Sequence, residues 1–125
     1  MSSPYQDLRV WQQAMKLAGE VYSCTESFPK HELYGLTSQI RRAAVSVASN
    51  IAEGKGHRSD REFLHFLFHA RGSLFELETQ LLLAKQLQYT SGADSIALLD
   101  SVTVVARSLT GLINSLSVQG AAKAS

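Results

Sequence analysis

The sequence predicts an all-α protein, an antiparallel up-down-up-down bundle of four helices. Three observations indicate it: apolar residues recur at steps of three and four in four successive segments, no β-like alternation stands out, and the two prolines, Pro4 and Pro29, lie outside those segments. Four helices joined by short loops pack most simply in this arrangement. A chain of 125 residues is long enough for one domain, so we expect a core over about residues 5–118 and a frayed tail over 119–125.

The first helix is predicted from about Asp7 to Ser27. Phe28-Pro29 ends it, because proline disfavours a helical residue before it. The apolar residues expected to form its core stripe are Leu8, Trp11, Met15, Ala18 and Tyr22.

The second helix is predicted from about Glu32 to Glu53, with an irregular first turn at Gly35 and a stop at Gly54 and Gly56. Its expected core stripe consists of Leu36, Ile40, Ala43, Ala44, Val47 and Ile51. The opposite face is rich in small and charged residues, namely Ser38, Arg42, Ser46, Ser49 and Glu53. Small residues would let another backbone approach closely, as in a subunit interface. The alternative is that this face is a solvated surface.

The third helix begins at Ser59, which forms a capping box with Glu62, and runs to about Gln88. Its expected heptad seam is Leu67, Ala70, Leu74, Leu77 and Leu81. A neighbouring face carries a second apolar set, Leu64, Phe68, Phe75 and Leu82, so the helix has more apolar surface than one core needs. A monomer rarely exposes so large a patch, which favours an oligomer.

The fourth helix follows the break at Thr90-Ser91-Gly92, and Asp94 is its expected cap. It is predicted to run to about Val118. Its apolar rhythm predicts a core stripe of Leu99, Val102, Ala106, Leu109, Ile113 and Leu116.

Composition indicates a cytoplasmic protein that does not enter a membrane. The single cysteine, Cys24, excludes an internal disulfide and suits a reducing compartment. The segment Met1–Asp7 lacks the layout of a signal peptide, and no apolar run approaches the roughly 20 residues that a membrane span needs.

The sequence favours a protein that is not an enzyme and that holds no cofactor. It has no G-x-S-x-G, H-E-x-x-H or Walker motif, and Gly54-Lys55-Gly56 follows a helix, as a C-cap does. Glu62 and His65 form a Glu-x-x-His motif, with His69 one turn later. Di-iron bundles use two such motifs, so we interpret this one as a polar helical face and expect no metal.

Nucleic-acid binding is the strongest functional signal. The segment from residue 41 to residue 71 contains six arginine or lysine residues but only three aspartate or glutamate residues. Arg41 and Lys55 are fourteen residues apart, so they share one helical face within about 40°. Arg58 and Arg61 follow, and the four could contact successive phosphates without reading bases. The alternative is that these charges only solvate a loop, but an oligomer would multiply a weak patch.

Several short segments form an ordered set along the chain: Leu8-Arg9-Val10-Trp11, Phe28-Pro29, Glu32-Leu33-Tyr34-Gly35-Leu36, Gln39-Ile40-Arg41-Arg42-Ala43-Ala44-Val45-Ser46, Asn50-Ile51-Ala52-Glu53-Gly54 and Gly72-Ser73-Leu74-Phe75-Glu76-Leu77-Glu78-Thr79. This set resembles the four-helix-bundle proteins encoded in intervening sequences of bacterial 23S ribosomal RNA genes. The resemblance covers residues from about Tyr5 to Leu116, with the fourth helix matching only in its pattern.

The resemblance implies an antiparallel four-helix bundle, commonly a homopentamer, with no established enzymatic activity. It also implies a distant kinship with the accessory protein of diversity-generating retroelements, which binds nucleic acid and reverse transcriptase. The motif residues Arg42, Asn50, Glu53 and Glu76 are interpreted as structural, with Arg42 paired to a glutamate within or across chains.

Two functions are therefore expected. The first is a homo-oligomer, a pentamer by resemblance, that binds RNA or DNA backbone through Arg41, Lys55, Arg58 and Arg61. The second is a scaffold ring that docks a protein partner through the aromatic face of the third helix, at Phe68 and Phe75.

Overall fold

A computed structural model describes the backbone of residues 4–124 and the side chains of residues 4–118. It contains four α-helices: α1 (Arg9–Thr25), α2 (Leu36–Lys55), α3 (Asp60–Gln86) and α4 (Gly92–Ala124). Short 3-10 turns lie at Pro4–Asp7 and Lys30–Glu32. No strand occurs in the described backbone, so the all-α prediction is confirmed. The helices α1 and α2 begin later than predicted, because the chain first forms these 3-10 turns.

Each helix packs on the next one along the chain, and α4 returns to α1. Two side-chain hydrogen bonds show that neighbouring helices are antiparallel. Arg41 in the second turn of α2 bonds Thr25 at the end of α1, and Ser101 in α4 bonds Glu20 in α1. The starts of α1 and α3 therefore lie with the ends of α2 and α4, at what we term the α2–α3 end. The opposite end, which carries the α1–α2 connection, is termed the α1–α2 end.

The core is built from one apolar face of each helix. The predicted stripes of α2 and the predicted seam of α3 are all buried. The stripe predicted for α1 was largely wrong. Ala18 is buried as predicted, but Met15 and Tyr22 are exposed, and Leu8 and Trp11 are only partly buried. The face next to it enters the core, and its residues are Val10, Ala14, Leu17, Ala18 and Val21.

The fourth helix shows a smaller shift of the same kind. Leu98 and Val105 are buried where Leu99 and Ala106 were predicted, and those two pack only partly against the core. The other four predicted positions, Val102, Leu109, Ile113 and Leu116, are buried. The helical backbone continues to Ala124, beyond the predicted end near Val118, and the side chains of the predicted frayed tail lie outside the described residues.

Serines cap both of the later helices. Ser59 Oγ accepts a hydrogen bond from the backbone N–H of Glu62 at 3.1 Å, as predicted. The Glu62 carboxylate does not complete the capping box, since it contacts His57 Nδ1 at 2.6 Å. Ser91 caps α4 through the backbone N–H of Asp94, so the prediction of Asp94 as the cap was wrong.

The turn between α3 and α4 closes with Gln88 in the left-handed region, at φ 63°. The N–H of Tyr89 bonds the carbonyl of Ala84, and the N–H of Gln88 bonds that of Lys85. This pair is a Schellman motif, in which glycine is the usual left-handed residue. A glutamine there carries a backbone strain that a glycine would not.

Gly54 lies inside α2 and does not stop it. A Cβ atom on Gly54 would lie 2.7 Å from Phe66 Cβ and 2.9 Å from the Phe63 ring. The absent side chain therefore lets the end of α2 approach the start of α3 closely. The helix ends one residue later, at Lys55, and Gly56 is its C-cap.

The fourth helix is long and apolar enough to cross a bilayer on length and composition alone. The most apolar 18-residue window within Gly92–Val118 has a mean hydropathy of 1.6, and 28 % of that window is buried in the bundle. Serines and threonines interrupt its apolar runs, so no long apolar run is visible in the sequence. Its buried face is nevertheless part of the bundle core, at Leu98, Val102, Val105 and Leu109.

Candidate nucleic-acid interface

Three of the four predicted phosphate contacts lie together at the α2–α3 end. Lys55 is the last residue of α2, Arg58 lies in the connecting turn and Arg61 lies in the first turn of α3. All three side chains are exposed. Lys55 Nζ lies 5.6 Å from the centre of the Phe63 ring, a cation–π contact that positions the ammonium at this junction.

Arg58 and Arg61 have no side-chain partner within the described part of the chain. Arg61 borders a shallow hollow of about 360 Å³ formed with Ser59, Glu62, His65 and Phe66. Their guanidinium groups are therefore free to bind an external anion. We term Lys55, Arg58 and Arg61 the basic junction.

A histidine beside the basic junction is held in place on two sides. The His57 ring stacks on Phe66 with centroids 4.8 Å apart, and its Nδ1 lies 2.6 Å from the Glu62 carboxylate. This contact occupies Glu62, which would otherwise compete for the neighbouring arginines. The stacking on Phe66 also fixes the position of the His57 ring in the turn.

Arg41 does not join the basic junction. It lies fourteen residues before Lys55 along α2, which corresponds to about 21 Å of helix. Its Nε–H donates to Thr25 Oγ1 at 2.8 Å, and its guanidinium carbon lies 4.7 Å from the Tyr22 ring centre. The prediction of one patch containing all four residues was wrong, because a shared helical face says nothing about distance along the axis.

The residues interpreted as structural differ in their surroundings. Asn50 is partly buried and donates from Nδ2 to the carbonyl and hydroxyl oxygens of Ser46. Glu76 is exposed and accepts from Gln80 Nε2 at 3.1 Å. Arg42 and Glu53 are also exposed, and no ion pair of Arg42 occurs among the described residues. Within one chain, the predicted buried Arg42–glutamate pair is therefore wrong, and pairing across chains stays a prediction.

One of the small residues on the polar face of α2 serves the bundle itself. Ser46 Oγ lies 2.8 Å from Ser73 Oγ of α3, so this part of the polar face is neither solvent nor subunit interface but the seam between two helices. Ser49, by contrast, is exposed.

The three residues considered as metal ligands, Glu62, His65 and His69, do not gather in one cluster. Glu62 contacts His57, whereas His65 Nε2 lies 3.2 Å from His69 Nε2 one turn along α3. Among the described residues, no group of three or more His, Cys, Asp or Glu side chains is placed to hold a metal ion.

The lone thiol is partly buried, and burial, followed by the nearby Asp94 carboxylate, raises the pKa of Cys24.

Three of the four residues of the second apolar face predicted on α3 are exposed, while the fourth, Leu64, packs partly against the core. Phe68, Phe75 and Leu82 are 45 %, 54 % and 47 % exposed, and they follow one another at intervals of seven residues. We term these three residues the α3 stripe. Arg71 lies within the stripe, with its guanidinium carbon 5.1 Å from the Phe68 ring centre.

A second apolar surface, which the sequence analysis missed, lies between α1 and α2. It is a groove of about 320 Å³, lined by Tyr5, Trp11, Met15, Ala18, Val45, Ala48, Ser49 and Ala52. We term it the α1–α2 groove. Its residues include those assigned to the core of α1, so comparing the two adjoining faces of that helix could have revealed a surplus. Because α1 and α3 are diagonal in the bundle, the groove and the α3 stripe are separate surfaces.

Comparison with known proteins places the fold in a family. The model of the family described as 23S rRNA-intervening sequence protein matches residues 6–111, most of the chain. The chain belongs to this family. No curated protein matches it.

A solved structure similar to this bundle is a protein of unknown function from the S23 ribosomal protein family of Bacteroides thetaiotaomicron. The two share 20 % sequence identity, the match covers 84 % of this chain and 95 % of the other, and the TM-score is 0.77. At 20 % identity, this similarity supports the fold of the intervening-sequence protein described here but says nothing about its function.

Proposed function

We propose that the chain forms a ring of identical subunits that binds the phosphate backbone of RNA or DNA through the basic junction. The proposal includes no enzymatic activity and no cofactor, and it places the ring in the cytoplasm. The observation that carries it is the pair Arg58 and Arg61, exposed at one end of the bundle without side-chain partners in the described structure.

Two unlike apolar surfaces support assembly. The α3 stripe of one subunit can pack into the α1–α2 groove of the next, which gives a head-to-tail contact. Contacts of this type generate rings when the rotation closes. Five subunits is the number that the family resemblance implies, and it remains part of the proposal.

Assembly would compensate for the modest charge of one junction. Lys55, Arg58 and Arg61 are accompanied by Glu53, Asp60 and Glu62 in the same stretch of chain. Cyclic symmetry places every copy of the junction on one circle around the ring axis. A nucleic acid that follows this circle contacts several junctions at once, so weak individual contacts add to a higher apparent affinity.

The test is binding of labelled single-stranded and double-stranded RNA and DNA across a salt series, with Arg58→Glu/Arg61→Glu as the variant. Lys16→Glu/Arg107→Glu is the matched control, because it makes the same charge change on exposed residues of α1 and α4. Affinity should fall steeply with salt for the unmodified protein. The slope of log affinity against log salt concentration should be smaller in magnitude for the variant, by about 0.7–0.9 for each phosphate that the protein no longer binds.

Two results would contradict the proposal. One is an assembled ring that binds no nucleic acid at low salt. The other is an equal loss of binding in the matched control, which would show that net charge matters and the junction does not.

A second candidate function is a scaffold that docks a protein partner through the α3 stripe. The exposure of Phe75, the most exposed residue of the stripe, supports it. The variant Phe75→Glu distinguishes a stripe that forms a subunit contact from a stripe that docks a protein partner. Loss of assembly identifies the stripe as a subunit contact, whereas an intact ring leaves the stripe available for a partner.

A further inference from the structure

A small pocket at the α1–α2 end has the features of a binding site separate from the basic junction. Its volume is about 240 Å³, and its lining consists of Thr25, Glu26, Phe28, Pro29, Lys30, Leu33, Thr37 and Arg41. The volume is below the roughly 300–1,000 Å³ typical of pockets for drug-sized ligands, so it suits a smaller chemical group.

One wall of the pocket presents an immobilised guanidinium. Arg41 Nε–H donates to Thr25 Oγ1 at 2.8 Å, and the Thr25 hydroxyl in turn donates to the Val21 carbonyl at 2.8 Å. The Arg41 guanidinium also lies over the Tyr22 ring, 4.7 Å from its centre. These contacts involve Nε and one face of the guanidinium plane. The terminal nitrogens of Arg41, Nη1 and Nη2, have no partner in the described structure. The fork that binds two oxygens side by side is therefore free and already oriented.

The pocket wall also contains an unpartnered hydroxyl. Thr37, one helical turn before Arg41, is 3 % exposed, and its Oγ1 has no hydrogen-bond partner in the described structure. Buried hydroxyls without partners are uncommon and call for an explanation. A ligand oxygen that enters the pocket beside Arg41 would give this hydroxyl its partner after a rotation about χ1.

The charges around the pocket favour a singly charged acid. Arg41 and Lys30 supply two cations, while the Glu26 carboxylate lies in the same wall. A singly charged carboxylate brings the summed charge of these three groups and the ligand to zero, whereas a doubly charged phosphate leaves one negative charge uncompensated. The buried Phe28 ring and the apolar side chains of Pro29 and Leu33 provide contact surface for a short hydrocarbon group attached to the acid.

We propose that this pocket binds a carboxylate carrying a short apolar group, with its two oxygens on the terminal nitrogens of Arg41. The carboxylate is either that of a small organic acid or the free carboxyl terminus of a peptide. The pocket lies about 21 Å along α2 from the basic junction. The inference therefore stands independently of nucleic-acid binding.

The test is titration of the full chain, followed by amide NMR shifts of the pocket residues and by calorimetry. The probes are butyrate, the tripeptide N-acetyl-Ala-Ala-Val, the same tripeptide with an amidated C-terminus, and inorganic phosphate. We expect saturable shifts at Thr37 and Arg41 with the two carboxylates, and at least tenfold weaker binding of the amide. Tighter binding of the tripeptide than of butyrate identifies a chain terminus as the source, and the reverse order identifies a small acid.

Two variants test the geometry. Arg41→Lys keeps the charge but removes the fork, and it should weaken butyrate binding about tenfold or more. Thr37→Val replaces a hydroxyl that has no partner in the fold, so the protein should stay folded while carboxylate affinity falls. Lys85→Gln, which removes an exposed cation outside the pocket at the same end of the bundle, is the matched control and should bind as the unmodified protein does.

The proposal is overturned if no probe gives saturable shifts at the pocket, if the amide binds as well as the acid, or if Arg41→Lys has no effect. Phosphate binding tighter than butyrate binding would overturn the choice of a carboxylate. Arg41→Lys should leave nucleic-acid affinity unchanged, and Arg58→Glu/Arg61→Glu should leave butyrate affinity unchanged. The failure of one proposal is therefore visible separately from that of the other.

Discussion

Tyr89 donates its hydroxyl hydrogen to Glu32 Oε2 at 2.9 Å, across 57 residues of sequence. The other carboxylate oxygen, Glu32 Oε1, accepts from the backbone N–H of Leu36 at 3.2 Å, at the start of α2. The Tyr89 ring also packs on Phe28, with centroids 5.5 Å apart. One carboxylate therefore connects the first turn of α2 to the turn between α3 and α4.

This link predicts a pH dependence of stability. The Leu36 N–H, followed by the Tyr89 hydroxyl, lowers the pKa of Glu32 from its ordinary value of 4.5. A lowered folded-state pKa contributes stability that is present above pH 4.5 and is lost as the pH falls through the lowered pKa. Glu32→Gln should therefore lower the thermal midpoint at neutral pH and flatten its decline between about pH 5 and 3.

The hydroxyl can be tested separately by Tyr89→Phe, which keeps the ring contact with Phe28. The variant should be less stable at neutral pH, and its stability should fall less steeply in acid, as thermal unfolding at several pH values would show. Tyr34→Phe is the control, since Tyr34 is 94 % exposed. An equal effect of both substitutions would mean that the Tyr89–Glu32 bond contributes nothing to folding.

Gly54 is the position where an added methyl group should do most harm. Because a Cβ there would lie 2.7 Å from Phe66 Cβ, Gly54→Ala should push α2 away from α3. Overpacking of this kind costs typically about 1–3 kcal/mol. Chemical denaturation measures the change in the free energy of unfolding.

The matched control for Gly54 is Gly111→Ala, also within a helix but with open space around the added atom. It should raise the free energy of unfolding by about 0.5–1 kcal/mol, because alanine loses less conformational freedom than glycine. The same chemical change should therefore act in opposite directions. Stabilisation by both substitutions would contradict the close packing of the α2–α3 end.

Gln88 offers a route to higher stability. Its φ of 63° lies in the region that glycine adopts without strain. Gln88→Gly should raise the free energy of unfolding by about 1 kcal/mol, since an L-residue pays roughly 1–2 kcal/mol in that region. Gln88→Val should lower it, because a branched Cβ is more crowded there. Equal effects of glycine and valine in denaturant titrations would show that this turn relaxes when it is mutated.

The α3 stripe predicts a loss of assembly. Phe75→Glu should shift the molar mass in solution toward that of one chain, because burial of a phenylalanine contributes about 1.5–3 kcal/mol and a charge reverses that gain. Each 1.4 kcal/mol corresponds to about tenfold in subunit affinity. Ile96→Glu, on an exposed residue outside both apolar surfaces, is the control. An unchanged mass of the Phe75 variant, measured by light scattering, would exclude the stripe as a subunit contact.

Helix existence and the cores of α2 and α3 were predictable because each of these helices has one dominant apolar face that is continuous with the bundle. In α1, two series one residue apart follow the same three-four rhythm. Trp11 and Met15 belong to one series, and Val10 and Ala14 to the other. Periodicity cannot rank two such faces. Val10 and Ala14 fill the core, while Trp11 and Met15 line the α1–α2 groove.

The candidate site was only partly predictable for a related reason. Lys55, Arg58 and Arg61 are close in sequence, so local structure keeps them together. Arg41 shares a helical face with Lys55, but a projection down the helix axis discards the distance between them. Contacts between distant segments, such as Tyr89 with Glu32, depend on how the helices pack and leave no local signal.

The antiparallel order has a practical consequence for handling the protein. The first and last residues of the described backbone, Pro4 and Ala124, both lie at the α2–α3 end, the end that also carries Arg58 and Arg61. An affinity tag at either terminus would crowd that surface, and a polyhistidine tag would add its own charge to it. A cleavable tag, removed before titration, avoids mistaking steric obstruction for an absence of binding.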